Sequence, residues 1–333
     1  MNLNLNLVWV EVGRPVPRYA MENFSLTRKL HSDIQQYLVT DSLKSFENQL
    51  VIKTSQLEKS QETKQFENIQ KVWRHKQEYF WQGTTARFFY LHDAMLLLGL
   101  EGIVHLETDC VLLQTDAITT LINTPWIELA YPLQARGIGC ASILYIKNHE
   151  GLRKFLHYIL ENWTRTDVDD MVLLGEYSVN SGVRILPTKI EMHDSSQEFI
   201  FDAVSVGKYF MGTDARTSRL PFATRKKEDL RDGSATKLLE NGFLRFNSNL
   251  SHQSIEVTVT DSRTKLANIH IHSKAISSSI FRMNLRLKIA FGIKLSLMWK
   301  IGRFDKIVFL ERLASYWFRK VKREVNFEER NYR

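Results

Sequence analysis

Cysteine is nearly missing from this sequence: Cys110 and Cys140 are the only two in 333 residues. A single pair cannot form a disulfide framework in a chain of this size, so the expected setting is a reducing, cytoplasmic one. Long apolar runs are missing too. None approaches the roughly 18–20 residues of a spanning helix, which excludes an integral membrane protein and leaves a soluble or peripheral one. Met1 to Leu7 alternates Asn and Leu without a basic leader, and Glu11 interrupts the apolar run that follows. That pattern predicts a first strand instead of a signal peptide. There is no internal repeat, and no Gly or Pro occurs between Arg18 and Gln82.

Hydrophobic residues make up 44% of the chain and charged residues 25%, enough for one large core or two smaller ones. The net charge of +8 is not evenly spread. From Arg282 onward fourteen basic residues face five acidic ones, which puts +9 in the tail and about −1 in everything before it.

Leu7 to Val12 reads as a strand ended by Gly13, Pro15 and Pro17, since proline cannot continue a central strand. Asn23 to Asp33 suits a helix, and Tyr37 to Thr40 is a second apolar run closing on Asp41. Strand, helix, strand opens an α/β sheet. Ser45 to Lys76, rich in Gln, Glu, Lys and Ser, is expected to be solvated helix. Phe88, Leu91, Met95 and Leu98 share helical spacing within Phe80 to Leu98, which predicts a packed helix ending near Gly99. Further strands fit Gly102 to Leu106, Ile127 to Tyr131, Ser142 to Ile146 and Val183 to Leu186. Helices fit Leu152 to Trp163 and Asp170 to Tyr177.

Chemistry concentrates where strands end. Glu107-Thr108-Asp109 follows the strand Gly102 to Leu106 directly, and open α/β sheets collect ligands at the carboxyl ends of their strands. Two carboxylates one residue apart suit a divalent cation that also binds substrate phosphates; they also suit an ordinary acidic turn. Arg136-Gly137-Ile138-Gly139-Cys140-Ala141-Ser142 is a glycine-bearing loop leading into a strand, open to backbone approach or simply a turn. Asp169-Asp170-Met171 stands where a helix begins, a common capping position. Asn268 to Lys274 alternates, so His270, His272 and Lys274 share one face if the segment is a strand.

In this order, and over roughly residues 7 to 276, these segments resemble the GT-A glycosyltransferases, with the acidic motif in a Glu-x-Asp form. The resemblance implies an α/β fold, a Rossmann-like α/β/α sandwich around a mixed, mostly parallel sheet. It also implies an enzyme of hexosyltransferase type that moves a sugar from a nucleotide-sugar donor to a glycan or lipid-linked acceptor. The metal, Mn²⁺ or Mg²⁺, would sit on Asp109, His272 and Glu107, with His270 the second choice of histidine. Donor contacts would come from Glu107, Arg87, Gly137, Gly139, Lys274 and Asp41. Arg87 fits a structural ion pair on spacing equally well. Asp170, then Asp169, would be the base of an inverting enzyme. Ile200-Phe201-Asp202, with Gly207, Tyr209, Gly212 and Asp214 after it, suits a sugar-facing loop or a turn-rich connection.

Residues 1–280 are accordingly expected to form the catalytic domain and 281–333 a basic helical tail. Ile307, Leu310, Ala314, Trp317, Phe318 and Val321 fall on one arc of a helical wheel, with Arg312, Arg319, Lys322 and Arg323 on another. Such a helix either packs on the domain or lies on an anionic membrane face, and no nucleic-acid-binding module accompanies it. Competing readings are a sugar-phosphate nucleotidyltransferase, for which Gly13-Arg14-Pro15 is a poor phosphate loop, and a non-catalytic sugar- or lipid-binding module on the same fold.

Overall fold

The computed structural model describes residues 5–42, 50–72, 78–135, 137–165, 168–188, 199–204, 244–249, 254–259 and 265–271. The central sheet is built on β1 (Asn6–Glu11), which pairs in parallel with both β2 (Gln35–Thr40) and β4 (Ile103–Leu106). β3 (Leu50–Lys53) adds to β2 in parallel as the sheet edge. Beyond β4 the direction reverses at β8 (Ile143–Ile146), after which come β6 (Leu129–Ala135) and, parallel to β6, β9 (Val183–Leu186). β6 also pairs with the short β7 (Ile138–Gly139).

Both faces of the sheet are buried. On β1, Leu7 and Trp9 face one core with α1 (Arg18–Leu30) and α4 (Asp116–Ile122), where Trp9 packs on Phe24. Val8 and Val10 face the other core with α3 (Glu78–Leu98), α5 (His149–Asn162) and α6 (Asp170–Tyr177). Strand side chains alternate between faces, and a strand apolar on both must be covered by helices on both. The result is an α/β/α sandwich around a mixed, mostly parallel sheet. Burying a Leu, Ile or Phe contributes roughly 1.5–3 kcal/mol, and the two cores hold the strand ends rigid.

The stretch expected as solvated helix from Ser45 to Lys76 is corrected in part. It contains β3 before α2 (Gln61–Val72). Leu50-Val51-Ile52 is a short apolar run with only two β-branched residues, and its edge position exposes Leu50 by half, so the surrounding polar residues conceal it.

β5 (Cys110–Leu112) leaves the main sheet and pairs antiparallel with β14 (Asn268–His270), setting His270 opposite Cys110. β10 (Phe199–Ile200), β11 (Leu244–Asn249), β12 (Ser254–Val259) and β13 (Lys265–Leu266) form a separate small sheet. Among the described residues no helix is long and apolar enough to cross a membrane. The tail from 281 lies outside the described residues.

Candidate active site

Because β1, β2 and β4 run in parallel, Glu11, Asp41 and Glu107 arrive at the same end of the sheet. Asp41 closes the loop after β1 by accepting the Gly13 amide at 2.8 Å. Glu11 accepts the Thr108 hydroxyl at 3.3 Å and pairs with Arg14.

Four segments fix the Glu107-Thr108-Asp109 turn. The Glu107 amide donates to Ser142 O at 3.1 Å, and the Cys110 amide closes the turn on Glu107 O at 2.9 Å. From α1, the fully buried Asn23 donates to Thr108 O at 3.2 Å and Cys110 O at 2.7 Å. From the far end of the sequence, the Ile271 amide donates to Asp109 O at 2.7 Å. Satisfying every buried carbonyl this way leaves the turn little freedom to move.

His270 is the histidine that β14 carries to the turn. Its Nε2 lies 3.1 Å from Glu107 Oε2 and 3.4 Å from Asp109 Oδ1. Its Nδ1 lies 2.6 Å from Ala203 O, and since a carbonyl only accepts, Nδ1 carries a proton. Nε2 therefore serves the carboxylates, the arrangement found in metal-ligating histidines. Burial alone would lower the imidazole's pKa, but Asp109 and Glu107 raise it well above the usual histidine range. Asp202 steadies the same strand, accepting the His270 amide at 2.9 Å while its own backbone pairs reciprocally with Asn268 at 3.0 Å in each direction.

On the other side stands Arg87 of α3. It donates to Glu107 Oε1 at 2.5 Å and to Asp170 Oδ2 at 2.6 Å. Burial opposes its charge, and the two carboxylates raise it further above the ordinary guanidinium range. Burial would likewise raise Glu107, yet Arg87 and His270 together hold it well below the usual carboxylate range. For Asp170 the balance is reversed. Burial first, then the nearby Glu107 and Asp169, outweigh Arg87 and push it up to about 6. Its Oδ1 is buried without a hydrogen-bond partner among the described residues.

The structure brings Glu107, Asp109, Arg87, Asp170 and His270 together, with Arg87 ion-paired to Glu107 and Asp170. Asp169 caps α6, accepting the Val172 amide at 2.9 Å. Gly139 is bare for a packing reason: a Cβ there would stand 2.3 Å from Leu174 Cβ. Gly137 has φ +74° and faces open space, so it keeps the backbone freedom expected of it. His272, Lys274, Arg136, Gly207, Tyr209, Gly212 and Asp214 lie outside the described residues. Sequence reasoning gave no role to Asn23, Cys140, Gly175 or Glu11. Gly175 left a usable signal, an isolated glycine inside a helical pattern.

No protein-family model matches the sequence, and neither does any curated protein. Among solved structures the chain is similar to mouse xyloside xylosyltransferase 1, with 11% identity and TM-score 0.39 over 56% of this chain and 86% of that one. It is similar to the galactosyltransferase LgtC, solved with donor and acceptor sugar analogues, with 11% identity and TM-score 0.38 over 69% of this chain and 83% of that one. It is also similar to the glycosyltransferase GlyE of Streptococcus pneumoniae, with 14% identity and TM-score 0.37. That match covers 56% of this chain and 45% of GlyE, so the chain spans less than half of GlyE's length.

Proposed function

We propose that the protein is a metal-dependent glycosyltransferase that uses a nucleotide-sugar donor and an acceptor hydroxyl. The observation that carries this reading is the convergence of Glu107, Asp109 and His270 from opposite ends of the sequence. The donor set fits a divalent cation: two carboxylate oxygens face an imidazole whose other nitrogen is already committed to Ala203. Asp109, Glu107 and His270 would hold the cation, with His270 giving up its Nε2 proton to do so. Bound there, the cation supplies charge neutralisation for a diphosphate leaving group.

The remaining steps belong to this chain's own residues. Arg87 holds Glu107 and Asp170 in fixed relation, and Asn23 keeps the acidic turn from relaxing. Asp170, with its pKa near 6 and Oδ1 without a partner among the described residues, suits a base that takes the acceptor hydroxyl's proton if the reaction inverts. Asp169 is engaged as a cap, which favours Asp170 of the two. Arg14, the cation of the loop after β1, is paired with Glu11, which counts against a nucleotidyltransferase phosphate loop. The acceptor of cell-surface glycan type and the membrane-facing tail belong to the same proposal.

A screen of nucleotide sugars for release of nucleoside diphosphate, with Mn²⁺ or Mg²⁺ and with EDTA, tests it. Release should require the cation and collapse in Asp109→Asn. Full activity of that variant in EDTA would refute the proposal.

A further inference from the structure

Cys140 has no part in the chemistry proposed above, yet it is buried beside the same histidine. Its Sγ lies 4.0 Å from His270 Nδ1 and donates to Ala203 O at 3.2 Å, the carbonyl that also accepts from the His270 ring. One ligand atom each from Glu107, Cys140 and His270 lie within 4.8 Å of one another, and no other such group of three occurs among the described residues. We propose that this cluster is a site for a thiophilic divalent cation of the zinc class, with Glu107, Cys140 and His270 as its ligands. The proposal rests on the preceding reading only in sharing Glu107 and His270 with it.

Ligand chemistry separates the two kinds of cation. Mg²⁺ and Mn²⁺ favour carboxylate, carbonyl and water, whereas a set of one sulfur, one nitrogen and one oxygen selects zinc and its analogues. Two ligands of one tetrahedral zinc stand about 3.3–3.6 Å apart, so the cluster has to close by roughly 1 Å. Turning the Cys140 side chain supplies that movement, since it costs only a weak S–H hydrogen bond. The Ala203 carbonyl keeps its bond from His270 throughout. The thiol proton and the His270 Nε2 proton pass to solvent as the sulfur–metal and nitrogen–metal bonds form. Because the hard and the soft cation both use Glu107 and His270, they exclude one another. A thiophilic cation therefore competes with the cation the transferase needs.

The position of Cys140 follows from the fold. The β7 segment returns along β6, and the Cys140 amide just after it donates to Pro132 O at 3.0 Å, which places Cys140 at the same sheet end as the acidic turn. Glu107 is the most exposed of the three, its side chain 19% accessible, which leaves an entry for the ion.

Titration of the chelator-treated full chain with Co²⁺, followed by absorbance, tests the assignment. A sulfur-to-cobalt charge-transfer band in the near ultraviolet is expected, present in Cys110→Ser and lost in Cys140→Ser. Calorimetry should show Zn²⁺ affinity falling by about 100-fold or more in Cys140→Ser, at or beyond the range for an outer-shell partner, with Mn²⁺ affinity unchanged. Cobalt binding without the band in the unaltered protein would overturn the proposal whatever the fate of the variants. So would a band that survives in Cys140→Ser or, if that variant fails to fold, in Cys140→Ala. Absence of Mn²⁺-dependent nucleotide binding with the cobalt band intact would sink the transferase reading alone.

Discussion

Gly175 sits inside α6, where glycine is normally a cost, and its replacement by alanine tests how the site is assembled. A Cβ at Gly175 would lie 2.0 Å from Gly137 O, 2.2 Å from Gly137 C and 2.7 Å from Ile138 N. All three are backbone atoms and cannot swing aside. Ordinary contact begins near 3.5 Å, so α6 and the β7 segment must part by about 1.5 Å. Two further contacts resist that movement, Gly139 pressed on Leu174 and the Tyr131 hydroxyl donating to Leu174 O at 2.8 Å. Asp170 begins the same helix. A displacement of about 1.5 Å takes its 2.6 Å bond to Arg87 beyond hydrogen-bonding range.

Gly175→Ala should therefore cost about 1–3 kcal/mol by overpacking. Transferase activity should fall by about 100-fold, the effect of a misplacement of roughly 1 Å. Urea denaturation reads the first and the rate of nucleoside diphosphate release the second. Gly83→Ala in α3 is the control, because its Cβ would meet nothing nearer than Val12 O at 4.0 Å. It should be stabilised by about 0.5–1 kcal/mol. If both alanines behave alike in stability and rate, the packing argument is wrong.

Arg87→Met removes the charge that the buried Asp170 and the partly buried Glu107 share, and leaving Asp170 without its partner costs about 3–5 kcal/mol, seen as a lower denaturation midpoint. A loss near zero would show that these carboxylates are not desolvated. Asp170, at about 6 in the fold and about 3.9 unfolded, binds its proton more tightly when folded. Its contribution to stability is thus fully present below about pH 4 and lost as pH rises through about 6, a swing of about 3 kcal/mol. The stability difference between wild type and Asp170→Asn, measured in urea at pH 4 and pH 7, should shrink by most of that amount; a constant difference would place the carboxyl at an ordinary pKa.

The core strands and helices were legible because their signal is local. Val183–Leu186 and Asp170–Tyr177 fall where apolar spacing and the Asp169 cap put them. β3 was not, since four residues at a sheet edge carry too little hydrophobicity to stand out from a Gln- and Lys-rich neighbourhood. The site divides in the same way. Glu107, Asp109 and Asp170 could be found from their places at a strand end and a helix start. Asn23 could not, because its meaning lies in two carbonyls more than eighty residues away. The alternation around His270 and His272 gave both histidines one face and no means of ranking them. Only the pairing of β14 with β5 fixes the depth at which His270 meets the acidic turn. Gly139 shows the limit most sharply: a bare position looks the same whether a ligand or the next helix occupies the space, and here α6 occupies it.

Charge balance at the site bears on why the proposed transferase would need a cation. Arg87 is the cation that faces Glu107 from α3, and both of its terminal nitrogens are engaged, one by Glu107 and one by Asp170. His270 faces Glu107 and Asp109 in the same way. Two positive groups thus offset two to three carboxylates, the number depending on Asp170, and no surplus remains for an incoming diphosphate. Recruiting Arg87 to the phosphates would strip Asp170 and Glu107 of their partner at several kcal/mol, since an isolated buried charge is costly. A divalent cation resolves this without moving any side chain: it adds two charges while His270 sheds one proton, leaving the site one unit more positive. On this balance the cation of the proposed mechanism would be what admits the diphosphate, and nucleotide binding should depend on the metal before any bond is broken.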